Sequence, residues 1–335
     1  MDKLKIAVTG LGGISQIMHL PVLMKMTETD VVAVCDKDNS KAKHVAMKHN
    51  IKKHYTNIDD MLSDSNEIDA VIIATPTDTH EHLAIKCLDA GKNVLVEKPV
   101  ARNAKESEKI IHAAEKSGKI LMIGMNNRFR TDVIFQRSFI KDNELGEVFY
   151  VKTGWLKSQS PDQKWLKERD KSGGGVFIDN GIAMLDLGMW MLGFPEVKSV
   201  SAVNYYHNTK SVEDSNFTLI KFKNSTSLTI EVSWSFIRKA EFYYCNVFGK
   251  TGSTSINPLR VFKKVGENLL DMTPANIKMP VNLNKSSYES ELKNFFGAIK
   301  GKNKLISTGN EAHSVMQIVD AIYKSAKAGK EVIFK

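Results

Sequence analysis

A short glycine-rich turn near the start of the chain has the spacing of a phosphate-binding loop. Gly10, Gly12 and Gly13 follow a short apolar run, and Ile14 and Ser15 begin a helical pattern. In such a turn the first glycine allows a sharp bend, and the second lets the backbone approach a pyrophosphate closely. The third position, here Ser15, must be small, and the N–H groups at the helix start attract negative charge. Gly10, Gly12, Gly13 and Ile14 are therefore predicted to bind a dinucleotide.

A carboxylate follows at the distance that such a site requires. Asp36 ends the apolar run 31–35, about 20 to 25 residues after the glycines, where it can accept hydrogen bonds from the adenosine ribose hydroxyls. The same charge repels a 2′-phosphate, so NAD is favoured as the cofactor, although Lys37 leaves NADP open. A second interpretation is that Asp36 caps the helix that begins near Asn39 or Ser40.

The first 124 residues alternate between apolar runs and helical patterns, which indicates a parallel sheet covered by helices. The predicted strands lie near 6–8, 31–34, 70–74, 94–96 and 120–123, and the predicted helices near 14–26, 40–48, 79–90 and 104–117. Helices of this length suit the right-handed crossovers between parallel strands. We therefore predict an α/β fold that begins with a doubly wound, Rossmann-type domain over residues 1–124.

The remainder of the chain, residues 125–335, has a different pattern. A predicted helix near 131–142 is followed by alternating stretches at 217–222 and 227–234, which are typical of half-buried antiparallel strands. Asn224 and Ser225 are suited to the turn between them. This part is predicted to be an α+β domain.

Composition excludes several classes of protein. The 335 residues carry a formal charge of +9, but the lysines are scattered and not interleaved with aromatic residues, so no nucleic-acid partner is expected. No segment was expected to approach a membrane span, and three distant cysteines predict neither a disulfide framework nor a metal site. We expect a cytoplasmic protein without a bound metal.

The motifs together resemble those of the Gfo/Idh/MocA oxidoreductases, whose members include glucose-fructose oxidoreductase and inositol dehydrogenases. Besides the glycine turn, the resemblance rests on Ala74-Thr75-Pro76-Thr77-Asp78-Thr79-His80, Glu97-Lys98-Pro99, Asn126-Asn127-Arg128-Phe129, Ser172-Gly173-Gly174-Gly175-Val176-Phe177-Ile178-Asp179, and the terminal segments 288–296 and 312–326. It covers essentially the whole chain.

The resemblance implies further site residues and an assembly. Thr75, Pro76, His80, Glu97, Lys98 and Asn126 are expected to contact the cofactor. Lys98 is expected beside the nicotinamide and the reacting carbon, with Asp179 as the second catalytic residue. The second domain is expected to bind substrate and to contain an open, mainly antiparallel sheet that builds a homodimer or homotetramer. Its last helices could pack back on the first domain.

One position departs from the family pattern. The family has a histidine four residues after the aspartate, on the same helical face, and it is usually assigned the proton transfer; here that position is Ala183. An alanine cannot relay a proton. Asp186 could replace the lost group, but pairing with the backbone or an arginine in the interior is the preferred interpretation. Asp179 could also simply cap its helix.

Three explanations of this departure stay open. Lys98 and Asp179 could carry out a redox reaction without the histidine, with a residue such as Tyr243 or His207 as a helper. The chain could instead perform a redox-assisted elimination on a sugar, or it could be a dinucleotide-binding regulator without catalysis. The preferred prediction is an NAD(P)-dependent dehydrogenase or reductase acting on a CH–OH group of a sugar, inositol or related polyol.

Overall fold

The computed structural model describes residues 3–64 and 67–334 of the chain, and they form two compact units. Unit 1 contains the described residues up to Asn126 together with Lys285–His313, and unit 2 contains Asn127–Asn284 and the residues from Ser314 onward. The chain therefore leaves unit 1 to form unit 2, returns to unit 1, and ends in unit 2.

Unit 1 is built on a six-stranded parallel sheet. Its strands are β1 (Leu4–Thr9), β2 (Thr29–Cys35), β3 (Lys53–Tyr55), β4 (Ala70–Ile73), β5 (Asn93–Glu97) and β6 (Leu121–Gly124). They are ordered β3-β2-β1-β4-β5-β6, and every neighbouring pair is parallel. This confirms the predicted doubly wound α/β fold. The carboxyl ends of all six strands consequently lie at one edge of the sheet.

Burial explains which strands the sequence revealed. The central strands β1, β4 and β5 are apolar runs whose side chains, such as Ile6, Val71 and Leu95, are fully buried. Strand β3 at the sheet edge was not predicted, because Lys53 and His54 are exposed and leave no apolar run to recognise.

The helices of unit 1 that follow its strands are α1 (Leu20–Leu23), α2 (Asn39–Lys48), α3 (Ile58–Asp64), α4 (His80–Asp89) and α5 (Ala104–Ser117). Helix α3 was not predicted. The helix predicted at 14–26 starts as the π-helical turn Ser15–His19 and ends with α1. Pro21 contributes to this irregularity, because it has no N–H to donate to the carbonyl of Ile17.

Unit 2 contains a nine-stranded mixed sheet. Its strands are β7 (Val148–Leu156), β8 (Val197–Tyr205), β9 (Ser215–Phe222), β10 (Ser227–Ser233), β11 (Phe242–Gly249), β12 (Gly252–Ser255), β13 (Arg260–Val265), β14 (Asn268–Asp271) and β15 (Val332–Ile333). The order is β14-β13-β12-β11-β7-β10-β9-β8-β15, and only β7 and β10 pair in parallel. The predicted hairpin is β9 and β10, with Ser225 at φ +67° in the turn. The mainly antiparallel second sheet is thus confirmed.

The remaining helices are α6 (Thr131–Lys141), α7 (Arg169–Ser172), α8 (Ile182–Leu192), α9 (Leu283–Ile299) and α10 (Gly309–Ala328). By length and composition the 24-residue stretch Arg169–Leu192 could cross a membrane, so the expectation that no segment approaches a membrane span was wrong. However, 83% of its apolar window is buried inside the protein. Helix α8 packs against β7 and β10, so its hydrophobicity is that of a core helix.

Candidate functional site

The turn after β1 can only be formed by glycine at position 10. Gly10 has φ +83°, and a Cβ atom there would lie 2.5 Å from the carbonyl oxygen of Ala74 and 2.7 Å from Cγ2 of Thr75. The Ser15 hydroxyl donates to the carbonyl of Gly10 at 2.5 Å and closes the turn. The turn after β1 and the loop after β4 are therefore in direct contact.

The next two glycines present an open backbone. Gly12 and Gly13 are exposed, and a Cβ atom placed on either would meet no described atom within 4 Å. Ile14, which follows, is half-buried before the π-helical turn begins. This open stretch at a helix start fits the pyrophosphate of a dinucleotide, because a phosphate can reach the main chain without displacing a side chain.

Asp36 is tied to the glycine turn and does not cap helix α2. Its Oδ2 accepts a hydrogen bond of 2.8 Å from the backbone N–H of Leu11, and the side chain is only 8% exposed. The helix is capped instead by Asp38, whose Oδ1 accepts from the N–H of Lys41 at 3.1 Å. The capping interpretation of Asp36 is thus wrong. Its carboxylate lies at the carboxyl end of β2 next to the glycine turn, as an adenosine-ribose acceptor should.

His80 connects the loops that follow β4 and β5. Its Nε2 lies 2.9 Å from the carbonyl oxygen of Thr75, and its Nδ1 lies 2.8 Å from that of Pro99. Burial lowers the pKa of the His80 imidazole, and the two carbonyl bonds oppose this shift. Thr75 and Pro76 are half-buried in the same loop. His80 therefore links the two loops and fixes their backbones relative to each other.

The Glu97-Lys98 pair lies at the carboxyl end of β5. Oε1 of Glu97 lies 2.7 Å from Nε2 of the fully buried His19, and Oε2 accepts from the backbone N–H of Lys98 at 3.2 Å. The Glu97 carboxylate thereby holds the backbone of Lys98 in place. The Lys98 side chain itself is half-buried.

Helix α9 adds polar residues that the sequence analysis missed. The ring of Tyr288 meets that of His19 edge-on, with centroids 5.4 Å apart, and Ser287 accepts from the side-chain amide of Asn126 at 3.0 Å. Glu291 is fully buried, and neither of its oxygens has a hydrogen-bond partner among the described residues. Burial and the nearby Glu97 carboxylate raise the pKa of Glu291 well above its usual value. The folded chain therefore favours the protonated, neutral form of Glu291 more than the unfolded chain does.

A sequence signal for Glu291 did exist. Tyr288, Leu292 and Phe295 follow each other at helical spacing and are buried, so they define the inward face of α9. Glu291 lies on this same apolar face, where a carboxyl group is unexpected.

In unit 2, Asp179 lies within the π-helical turn Phe177–Gly181 and is half-buried. The N-cap of this helical turn is Val176. The backbone N–H groups on either side of it, those of Gly175 and Phe177, both donate to Oε1 of Glu213 at 3.0 Å. The expectation that Asp179 caps the helix is wrong, because Asp179 lies inside it.

The glycines before this helix are required by packing. A Cβ atom on Gly174 would clash with the hydroxyl of Tyr323, and one on Gly175 would clash with the carbonyl of Glu213. The Tyr323 hydroxyl also donates to Glu213 at 2.8 Å. Burial raises the pKa of Glu213. Glu213 and Tyr323 therefore position the segment that carries Asp179, and sequence reasoning did not find either of them.

Ala183, which stands where the family has a histidine, is a core residue. Ala183 in α8 is 6% exposed. One turn on, Asp186 accepts from Nε of Arg128 at 2.8 Å and from Nη2 at 2.5 Å, and both side chains are 1% exposed. The expectation that Asp186 pairs with an interior arginine is confirmed, so Asp186 is already committed to a buried ion pair.

The two helper residues considered for catalysis differ in their surroundings. Tyr243 is buried in β11, where the guanidinium of Arg130 lies 4.8 Å from its ring centroid. His207 is exposed and stacks on Tyr205.

The predicted site residues thus divide between the units. Unit 1 contains all the predicted cofactor-binding residues, namely Gly10, Gly12, Gly13, Ile14, Asp36, Thr75, Pro76, His80, Glu97, Lys98 and Asn126, and unit 2 contains Asp179. Within residues 3–64 and 67–334, no three His, Cys, Asp or Glu side chains are grouped so that they could hold a metal ion.

Family models match almost the whole chain. The model described as an oxidoreductase family with an NAD-binding Rossmann fold matches residues 4–125, and the model of the C-terminal alpha/beta domain of that Gfo/Idh/MocA family matches residues 137–334. The first match confirms the prediction of an NAD-binding domain.

Named relatives and solved structures are similar over most of their length. D-glucoside 3-dehydrogenase of Escherichia coli is 27% identical, with 98% of this chain and 97% of the relative covered. The scyllo-inositol 2-dehydrogenase (NAD(+)) of Bacillus subtilis is 30% identical, with 77% and 75% covered. The crystal structure of GenD2 from gentamicin A biosynthesis in complex with NAD superposes with a TM-score of 0.87 at 26% identity, covering 100% of this chain and 97% of that one.

Two glycine variants should separate folding from dinucleotide binding. We expect Gly10→Ala to lower the free energy of unfolding by at least about 2 kcal/mol, because it adds backbone strain and a clash. Gly12→Ala should change it by less than about 0.5 kcal/mol and yet weaken NADH binding by roughly ten-fold or more, because its methyl group would stand where the pyrophosphate approaches. Urea unfolding and NADH fluorescence titration measure the two effects. An unchanged NADH affinity in Gly12→Ala would remove the turn from the binding site.

The buried Glu291 should make stability depend on pH. Its pKa is raised in the folded state, so the folded chain keeps a proton that the unfolded chain releases above about pH 4.3. The free energy of unfolding should therefore fall by up to about 1.4 kcal/mol per pH unit from this group as pH rises. Glu291→Gln should remove this slope, measured by urea unfolding between about pH 5 and pH 7. Glu289→Gln, at a half-exposed position of the same helix, is the control. Parallel profiles for wild type and Glu291→Gln would show that Glu291 is not a buried neutral acid.

Proposed function

Because the chain belongs to the Gfo/Idh/MocA oxidoreductase family, we propose that it uses NAD to move a hydride to or from a CH–OH carbon of a sugar, an inositol or a related polyol. The relatives named for a glucoside and for scyllo-inositol support this substrate class, since both names specify oxidation at a ring hydroxyl.

The observation that carries the proposal is the position of Lys98. It follows β5 at the sheet edge where the glycine turn and Asp36 also lie, and parallel sheets bind ligands at this edge. Glu97 holds its backbone, and His80 joins the neighbouring loops. An amine at the end of a buried strand, at the sheet edge that also carries the open glycine turn, suits a group that acts on substrate beside a bound nicotinamide.

The chemistry requires one proton acceptor. When bound, the nicotinamide supplies the hydride acceptor, so that an alcohol and NAD become a carbonyl compound, NADH and a proton. We propose that Lys98, as the neutral amine, accepts the hydroxyl proton in the oxidative direction. In the reverse direction Lys98, as an ammonium, donates that proton to the carbonyl oxygen as the hydride reaches the carbon. Asp179 is proposed as the second catalytic residue, which holds the substrate hydroxyl groups.

Ala183 favours one competing function. A chain without the family's histidine could bind the dinucleotide and a sugar as a regulator and transfer no hydride. The buried Asp186–Arg128 pair leaves Asp186 poorly suited to replace the histidine. The proposal therefore requires that Lys98 and Asp179 suffice.

We further propose that the enzyme is a cytoplasmic homodimer or homotetramer. Its three cysteines are buried free thiols, which suits a reducing compartment. Phe149, Val203 and Tyr205, on strands of the unit 2 sheet, are between 42% and 51% exposed, and such apolar side chains suit a subunit interface.

A substrate panel tests the proposed function. The protein is incubated with NAD and a series of aldoses, glucosides and inositols, and NADH formation is followed by absorbance. We expect NADH with at least one substrate, and a loss of at least about 100-fold in turnover for Lys98→Ala, with NADH affinity kept within about three-fold. Lys105→Ala, an exposed lysine at the start of α5, is the control and should turn over normally. Binding of sugar and NAD without any NADH would support the regulator instead.

A further inference from the structure

Asp36, which is proposed to bind the adenosine ribose, forms an ion pair with Lys41. Nζ of Lys41, in the first turn of α2, lies 3.1 Å from both carboxylate oxygens of Asp36. The Lys41 side chain is 38% exposed and that of Asp36 is 8% exposed. The ammonium therefore sits on the solvent side of a buried carboxylate, where a ligand would approach.

The contact with Lys41 limits the acceptor sites that Asp36 can offer to a ligand. A carboxylate has about four acceptor sites. Oδ2 of Asp36 accepts from the N–H of Leu11 at 2.8 Å, Oδ1 accepts from the N–H of Asp38 at 3.0 Å, and Lys41 contacts both oxygens. Protein donors thus occupy all four sites. Two ribose hydroxyl groups could donate to Asp36 only where Lys41 now donates.

The charges around this position are balanced. The carboxylates of Asp36 and Asp38 stand against the ammonium groups of Lys37 and Lys41, the first of which is exposed beside the site. An unpaired aspartate would repel a 2′-phosphate, and it would also favour NAD by accepting bonds from two hydroxyl groups. Here the repulsion is cancelled, and the preference for hydroxyl donors is reduced by competition with Lys41.

We propose that Lys41 is a specificity-determining residue that lets this chain bind NADP(H) as well as NAD(H). This inference rests on the proposed function only in placing the adenosine ribose at Asp36. The flexible lysine stem lets the ammonium swing from the carboxylate toward a 2′-phosphate, which it then bridges to Asp36. With NAD the ammonium moves aside and the ribose hydroxyl groups take its place.

Calorimetric titration of the full chain with NADH and with NADPH tests this inference without any substrate. For the wild type we expect the two dissociation constants to lie within about ten-fold of each other. Lys41→Gln should weaken NADPH binding by at least roughly ten-fold, while NADH binding stays the same or becomes tighter, because the ammonium no longer competes with the ribose hydroxyl groups for Asp36. Lys41→Arg keeps the cation and should preserve NADPH binding within about three-fold. Lys48→Gln removes an exposed charge from the last turn of the same helix as the matched control and should change the ratio by less than about three-fold.

The effects of Lys41→Gln on the two coenzymes distinguish a specificity role of Lys41 from a structural one. An equal loss of both coenzymes in Lys41→Gln would reduce Lys41 to a structural residue, and no change in either would remove it from the site. Tight NADH binding without detectable NADPH binding in the wild type would overturn the inference and leave the proposed function standing. Failure to bind either coenzyme would instead contradict the assignment of the coenzyme site itself.

Discussion

The close approach of Gly10 to the carbonyl of Ala74 is the constraint on which the coenzyme-binding unit depends. Because only a hydrogen atom fits there, the turns that follow β1 and β4 lie in direct contact. His80 then joins the β4 loop to the loop after β5, and His19 joins the first helix to the end of β5. Three loops at one sheet edge thus form a single network, which fixes the backbone of Lys98 relative to the glycine turn.

This network places polar groups where an ordinary core would be apolar. Glu97, His19 and Glu291 are buried near the carboxyl end of β5, which Lys98 follows, and Glu213 is buried against the glycines that precede Asp179. Burying such groups costs stability unless they are paired, and proteins accept that cost mainly at functional sites. Both site helices also begin with a π-helical turn, which is rare elsewhere and common at functional sites.

The sequence predicted what local patterns determine. The buried runs of β1, β4 and β5 were recognisable because apolar side chains dominate them, and the glycine turn and Asp36 have a fixed spacing. Strand β3 was missed because its exposed residues lack such a pattern. Lys41 was missed because its contact with nearby Asp36 depends on side-chain direction. Glu213 and Glu291 were missed because their neighbours Gly175 and Glu97 belong to elements distant in sequence, which periodicity does not encode. The interior pairing of Asp186 was predicted, because a charge on a core helix needs a partner.

The central claim is that one sheet edge of unit 1 holds the dinucleotide with its nicotinamide at Lys98. A crystal structure of the chain grown with saturating NADH tests this most directly. The account predicts the pyrophosphate against Gly12 and Gly13, the adenosine ribose beside Asp36, and the nicotinamide beside Lys98. A dinucleotide bound away from the glycine turn, or with its nicotinamide far from Lys98, would contradict it.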